Sequence, residues 1–400
     1  MTDKRYWIWL SNCLGEGAKF KEIIEDFGSI EKLYESNILE WRMSPALNPK
    51  QIEKMTKSNL EESERIIEEC KKNSWSIITY DDEEYPQRLR EISNPPAVLY
   101  VDGELGDIES LAAVAIVGTR KASTYALKAA HIMAKGIALC SGAVISGGAL
   151  GVDSAAHKGA LEGKGKTYAV LGCGFGTDYL MENEELRRNI VSSGGALITE
   201  YPPHTPATRY TFPMRNRIIS GLSLGVLVVE AGEKSGSLIT ANFAAEQNRD
   251  IFAIPASIFD SNFLGTNLLI NDGAIVATSP SVIVEQYAER FETLDLSKAQ
   301  SVKELAQIGS KLKENTPKKE QISFDNMPQD RAKRVSLSNK VYDLPEKEKT
   351  VFNALSDELE SVEIIAEKAK MNFGEVLSSL TLLEMKGLVI SASGKRYKIR

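Results

Sequence analysis

The sequence predicts an α/β fold built on an open parallel sheet, with a smaller helical piece before it and a compact piece after it. Three observations carry that reading. From Leu111 onward, short apolar runs alternate regularly with helix-length stretches. The runs Ala113–Val117, Ala143–Ser146, Thr167–Leu171, Ala196–Thr199 and Gly225–Val229 are nearly continuous, as strands buried on both faces must be. Each run ends in glycine, a hydroxyl or a charge, as in Gly118-Thr119-Arg120-Lys121 and Gly147-Gly148-Ala149-Leu150-Gly151-Val152-Asp153. In an open parallel sheet such ends share one edge, where ligands bind.

Bulk properties narrow the function. The chain has 400 residues, 42% hydrophobic and 26% charged, enough for two or three soluble globular domains. No stretch approaches the ~20 apolar residues of a membrane span. The N-terminus lacks the apolar region of a signal peptide, so a cytoplasmic protein is expected. Cys13, Cys70, Cys140 and Cys173 are scattered, as are His131, His157 and His204, so no disulfide, metal or cofactor is expected. A net charge of −7 argues against a protein that coats nucleic acid over its whole surface. The charge is uneven, however. Residues 1–70 carry 10 basic and 14 acidic groups, whereas residues 118–170 carry seven basic and two acidic. Any polyanion site should therefore be local and central.

Taken in order, residues 1–72 read as small helices, Tyr6–Leu10, Phe20–Phe27 and Ile30–Ser36, around Cys13-Leu14-Gly15-Glu16-Gly17. That outline resembles the SAM or helix-hairpin-helix class, and its acidic balance favours packing or protein contact over DNA. Thr79–Gly103 reads as an extended connector, with Tyr85-Pro86 and Asn94-Pro95-Pro96 ahead of a strand that joins the main sheet as an edge. Residues 73–293 form the α/β core. Within it, Phe212–Pro255 is the organising stretch: a strand, a Gly/Ser turn, then a helix capped by Ser237 and running to about Gln247. A helix N-terminus behind such a turn offers backbone N–H groups and a positive dipole end to a phosphate. Arg215-Asn216-Arg217 lies just upstream, where exposure is expected. The Gly172-x-Gly-x-Gly stretch departs from the dinucleotide-binding pattern. Residues 294–345 read as a flexible linker. Residues 346–400 have a winged-helix outline whose third helix, Phe373–Lys386, carries Glu375 and Glu384 against Lys386 alone. A groove-reading helix should be basic, so protein contact and DNA contact stand level for this piece.

These motifs together resemble the bacterial DNA-processing protein A (DprA/Smf) family. The resemblance rests on Ala115-Ile-Val-Gly-Thr-Arg120, Ser146-Gly-Gly-Ala-Leu-Gly-Val-Asp153-Ser-Ala-Ala-His157 and Phe212-Pro-Met-Arg-Asn-Arg-Ile-Ile-Ser-Gly221. Ser235-Gly-Ser-Leu-Ile-Thr-Ala241 and Gly265-Thr-Asn-Leu-Leu-Ile-Asn-Asp-Gly-Ala274 complete it, and it covers roughly residues 77–280. Ala256 and Ala126 stand where the family pattern usually has glycine. The resemblance implies a Rossmann-like core that binds single-stranded DNA, forms a homodimer and hands the strand to the RecA recombinase in natural transformation.

Three functions remain in play. The first is a non-catalytic single-strand binder, for which a phosphate backbone needs cations and N–H donors along a groove. Arg120, Lys121, Arg209, Arg215, Arg217 and Lys234 supply the expected cations. Thr119, Gly147, Gly148, Asn216 and Ser235-Gly236-Ser237 supply the expected donors, with Phe212 and Tyr210 as stacking faces. The second is a nucleotide-processing enzyme of the phosphoribohydrolase kind, for which Asp153, Glu200 and Glu230 are the candidate acids. The enzymes place a glutamate early in the helix after their Gly-rich turn, and here no acid occurs until Glu246. The third, a sequence-specific repressor, rests on the winged helix alone. A dimer contact is expected through Leu264, Leu268 and Leu269.

Overall fold

In a computed structural model, residues 2–179, 181–301, 303–305, 344–356, 358–386, 388–392 and 396–399 are described. They fall into two compact units, one within residues 1–309 and one within 310–400. The linker expected over 294–345 lies largely outside the described residues, in 306–343.

The first unit begins with six helices: α1 Lys4–Leu14, α2 Phe20–Phe27, α3 Ile30–Glu35, α4 Ile38–Met43, α5 Pro49–Lys57 and α6 Leu60–Lys72. Helices α4 and α5 start at capping boxes, where Asn37 pairs with Glu40 and Asn48 with Gln51. Each box satisfies helix-end donors reciprocally, which allows helices this short to stop and start cleanly. Trp7, Trp9, Phe20 and Leu33 from these helices share one apolar cluster with Tyr100, Leu171 and Leu197 of the sheet region. The helical segment thus packs on the sheet and does not close a core of its own.

The sheet has nine strands. In chain order come β1 Ser76–Thr79, α7 Gln87–Arg90, β2 Val98–Gly103, β3 Ala113–Val117, α8 Thr124–Leu139, β4 Ala143–Ser146 and α9 Val152–Glu162. They continue as β5 Thr167–Val170, α10 Glu184–Ser192, β6 Ala196–Thr199, α11 Thr211–Gly221, β7 Gly225–Val228, α12 Gly236–Glu246 and β8 Asp250–Ala253. The unit's last elements are α13 Leu264–Asn271, β9 Ile275–Val276 and α14 Pro280–Val284. The spatial order is β1-β2-β6-β5-β4-β3-β7-β8-β9. Only the β1–β2 and β2–β6 pairings are antiparallel. The proline-rich connector therefore joins the sheet, but not as the expected edge: β2 pairs β6 on one side and β1, a strand not foreseen in the sequence, on the other. The chain winds outward in both directions from β3, so the switch point lies beside β3, at the carboxyl ends of β3, β4 and β7. Among the described residues, no helix is long and apolar enough to cross a membrane.

The second unit matches the winged-helix outline closely: α15 Glu346–Ala354, β10 Glu360–Ser361, α16 Val362–Ala369, α17 Phe373–Met385, β11 Val389–Ala392 and β12 Arg396–Ile399. Its order is β10-β12-β11, all antiparallel. Val351, Val362, Ile365, Val376, Leu380 and Leu383 close its core. Several of its lysines are held internally: Lys347 by Glu375, Lys368 by Glu360 and Lys386 by Glu348.

Within the first unit, His157 is fully buried on α9. Thr167 Oγ1 donates to the Val144 carbonyl at 2.8 Å, so it accepts from His157 Nδ1, also at 2.8 Å. Burial drives the imidazole pKa down from 6.5 to about 3. The folded state therefore holds the ring neutral, whereas the unfolded chain protonates it below pH 6.5. Its contribution is complete above pH 6.5 and is lost progressively as pH falls toward 3. Urea unfolding should show the native chain losing about 2 kcal/mol between pH 6.5 and 5 from this group. His157→Gln should lack that component, and an identical pH slope in the variant would contradict the assignment.

Candidate nucleic-acid interface

A cavity of 490 Å³ opens at the switch point. The turn after β3, the start of α9, helix α11 and the first turn of α12 surround it. Each wall has a local cause in the sequence. Gly151 sits at φ +78°, and a Cβ there would lie 2.4 Å from the Thr119 carbonyl oxygen. Glycine is what allows the β4–α9 turn to close against the β3–α8 turn.

Helix α11 is fixed from below by two arginines. Arg217 is fully buried and grips Glu200 in a bidentate ion pair, Nη1 to Oε1 at 2.8 Å and Nη2 to Oε2 at 2.6 Å. Arg215 is 4% exposed and donates through Nη1 to the carbonyls of Gly147, at 2.7 Å, and of Val170. Its burial pulls the guanidinium pKa down, opposed by the nearby Asp153 carboxylate. The exposure expected for Arg215 and Arg217 is therefore corrected. Their charges meet internal acceptors, because the alternative is an unpaired ion beneath a packed helix. Arg215 still borders the cavity floor, but Arg217 does not reach it.

The glycines expected as phosphate donors are corrected in the same way. Gly147 and Gly148 are buried, and their carbonyls accept from Arg215 and from Asn183 Nδ2. A Cβ at Gly147 would lie 2.6 Å from Asp153 Oδ2 and 2.7 Å from Arg215 Nη2. These glycines make room for the floor and do not form the binding surface. Thr119 lines the cavity, but its N–H donates to the Glu230 carbonyl and its Oγ1 accepts from Lys121 N.

The remaining expected groups converge. Arg120, Lys121, Phe212, Asn216, Ser235, Gly236 and Ser237 all border the cavity. Arg120 and Lys121 are exposed, and the Arg120 guanidinium lies 4.5 Å from the Phe212 ring centre. Such cation–π stacking holds a long side chain in one place without consuming its charge. Asn216 Nδ2 donates to the Gly236 carbonyl at 3.4 Å, which ties α11 to the start of α12. Helix α12 begins two residues earlier than the sequence suggested, with Ser235 and not Ser237 at the cap position, and no side chain caps it; the Ser235 and Ser237 hydroxyls pair with each other at 2.8 Å instead. By contrast, α8 is capped by Ser123, whose N–H and Oγ also donate to Glu230 at 2.9 and 2.6 Å. The cavity is thus bordered by an open helix N-terminus and by two exposed cations, a fit for an anion. Lys234 and Arg209 are exposed but do not line it, and Arg209 stacks on Tyr210 at 4.7 Å.

The three candidate acids are all engaged. Glu200 holds Arg217. Glu230 holds the start of α8. Asp153 accepts from Ala149 N at 3.3 Å, and burial raises its pKa. One site contact was illegible in sequence: Tyr179, whose ring lies 5.2 Å from Phe212, comes from a loop with no motif of its own.

An open, mostly parallel sheet with a cavity at its switch point defines a protein of the Rossmann-like α/β class. Comparison with known proteins narrows this. Residues 76–288 match the family described as DNA recombination-mediator protein A, and residues 339–395 match the DprA winged helix domain. The protein Smf of Escherichia coli K12 is 34% identical over 324 residues, covering 81% of this chain and 77% of Smf. The Smf protein of Synechocystis is 32% identical over 406 residues, covering 100% and 99%. The X-ray structure of DNA processing protein A from Streptococcus pneumoniae superposes with a TM-score of 0.62 at 32% identity, covering 72% of this chain and 99% of that one. The chain belongs to the DprA/Smf family of DNA-processing proteins.

If Arg217 is structural, Arg217→Met should destabilise the first unit by about 3–5 kcal/mol by stranding Glu200. Arg217→Met combined with Glu200→Leu should recover part of that loss. Urea unfolding of the two variants checks this, and a single variant as stable as wild type would contradict the assignment.

Proposed function

We propose that the chain binds single-stranded DNA at the switch-point cavity, without catalysis, and delivers it to the RecA recombinase. The observation that carries this is an open α12 N-terminus bordering the same cavity as the exposed Arg120 and Lys121, while Asp153, Glu200 and Glu230 are engaged by protein partners. Backbone donors and exposed cations recognise phosphate and not base edges, so binding should tolerate any sequence. The family description as a recombination mediator supports the recombinase step, and natural transformation is the setting that the family resemblance suggests.

The enzyme reading needs a carboxylate free to move a proton. Glu200 and Glu230 are committed to structural partners, and Asp153 is buried beside Arg215. That arrangement supports binding over turnover.

We also retain a homodimer through α13. Leu264 and Leu268 are 42% and 45% exposed, and the loop before them exposes Ile258 and Phe259 at 83% and 93%. Leu269 is half-buried and packs against the sheet's apolar core instead. An apolar surface of this kind suits an isologous contact.

Arg120→Ala and Lys121→Ala should each weaken single-strand binding without loss of fold and lower the salt slope by about 0.7. Fluorescence titrations at several salt concentrations measure both quantities, and unchanged values would remove these residues from the interface. A chain ending at Pro345 should keep its single-strand affinity within about tenfold, because the cavity lies wholly in the first unit. A larger drop in the same titration would move the main site to the winged helix. Leu268→Glu should convert a dimer to monomer in sedimentation, and a wild type already monomeric at micromolar concentration would refute the contact.

A further inference from the structure

Away from the switch point, one face of the sheet carries a charge in an apolar row. The ladder pairs Asp102 of β2 with Leu197 of β6, and Leu197 with Ala169 of β5. The register of Ser76 with Val101 sets Trp75, one residue before β1, level with Asp102. Residues level with one another across a sheet share a face, so Asp102 stands between a tryptophan and a leucine. It is half-buried, and burial raises its pKa with no neighbouring charge or donor to oppose the rise. A carboxylate kept from water without donors is costly.

Trp75, Asp102 and Leu197 border a second cavity. Its volume, 650 Å³, falls within the ~300–1,000 Å³ of sites that enclose small organic ligands. Phe175 and Tyr179 line it too, and the Trp75 and Phe175 ring centres lie 5.1 Å apart. From α10, Arg187 and Arg188 also line it. Arg187 Nη2 donates to the Tyr179 carbonyl at 2.6 Å, which steadies that guanidinium, and neither arginine lowers the Asp102 pKa. This cavity shares no lining residue with the one at the switch point.

The lining selects the chemistry of a ligand. Aromatic side chains suit a flat ring. A carboxylate takes two N–H donors side by side, one for each oxygen. A cation would supply them, but it would share the cavity with two guanidiniums. Among the common nucleobases, guanine alone carries two adjacent N–H donors, N1–H and N2–H, on one edge of a neutral ring. Adenine has a bare N1 there, which would set lone pair against lone pair. Guanidinium groups in turn suit a phosphate. We propose that this second cavity binds a free guanine nucleotide, its N1–H and N2–H donating to Asp102 and its phosphate held by Arg187 and Arg188.

The test is calorimetry of the full chain with guanosine 5′-monophosphate, adenosine 5′-monophosphate and guanosine. Guanosine monophosphate should bind at least about tenfold more tightly than adenosine monophosphate. Asp102→Asn removes a charge that no protein donor meets, so the fold should survive, and it should erase that preference. Arg188→Ala, at an exposed position, should weaken guanosine monophosphate without changing guanosine. Arg120→Ala should leave all three affinities unchanged, because Arg120 borders only the switch-point cavity. Equal affinity for the two monophosphates, or no binding by either, overturns the proposal. So does guanosine monophosphate binding that ignores Asp102→Asn, or that is lost in Arg120→Ala.

Discussion

The interface depends on how two guanidinium groups are buried under α11. Arg217 closes on Glu200 at the end of β6, and Arg215 closes on carbonyls after β4 and at the end of β5. Three strand ends are thereby fastened to one helix. Desolvating two guanidiniums is costly, and it is offset only because every strand end offers acceptors in the right place. The result is a rigid platform that presents Phe212 and Asn216 upward. Asn216 then fixes the start of α12, and Phe212 fixes Arg120. Charge that cannot leave the core thus positions the charge that meets solvent.

This division of labour explains the site's polarity. Within one short stretch of helix, Arg215 and Arg217 serve structure, whereas Arg120 and Lys121 on a neighbouring turn remain available to a ligand. Acids are arranged the same way. Ser123, held by Glu230, caps α8 and closes one helix N-terminus at this edge, and α12 is left open beside it. A ligand anion therefore meets one uncapped helix end and two exposed cations lining the same cavity, with its carboxylate, Asp153, buried. In the winged helix, ion pairs within the unit hold Lys347, Lys368 and Lys386.

Much of this was legible in the sequence, for identifiable reasons. Continuous apolar runs placed the strands from Ala113 to Ala253, and the glycine and hydroxyl endings placed the ligand edge. The winged helix followed from its helix lengths and its two short strands. Burial of individual polar groups was not legible. Arg215 and Arg217 look like exposed cations in a helix-start motif, and only the three-dimensional positions of Glu200 and of the Gly147 and Val170 carbonyls show that both are sealed in. Gly147 and Gly148 looked like donors because nothing in a sequence shows that Arg215 must pass beside them. The N-terminal helices beyond Ser36 did leave a signal, the asparagine caps at Asn37, Asn48 and Asn59. The strand β1 left almost none, since four residues carry no periodicity.

The central claim is that a DNA strand meets the protein at the α12 N-terminus and the β3–α8 turn. Backbone amide chemical shifts of the deuterated, nitrogen-15-labelled chain, recorded with and without an unlabelled single-stranded oligonucleotide, test it most directly. The account predicts that the largest changes fall on Arg120, Lys121, Gly236 and Ser237, which all line the cavity. Silence at these four amides, with large shifts along α17 of the winged helix instead, would contradict it.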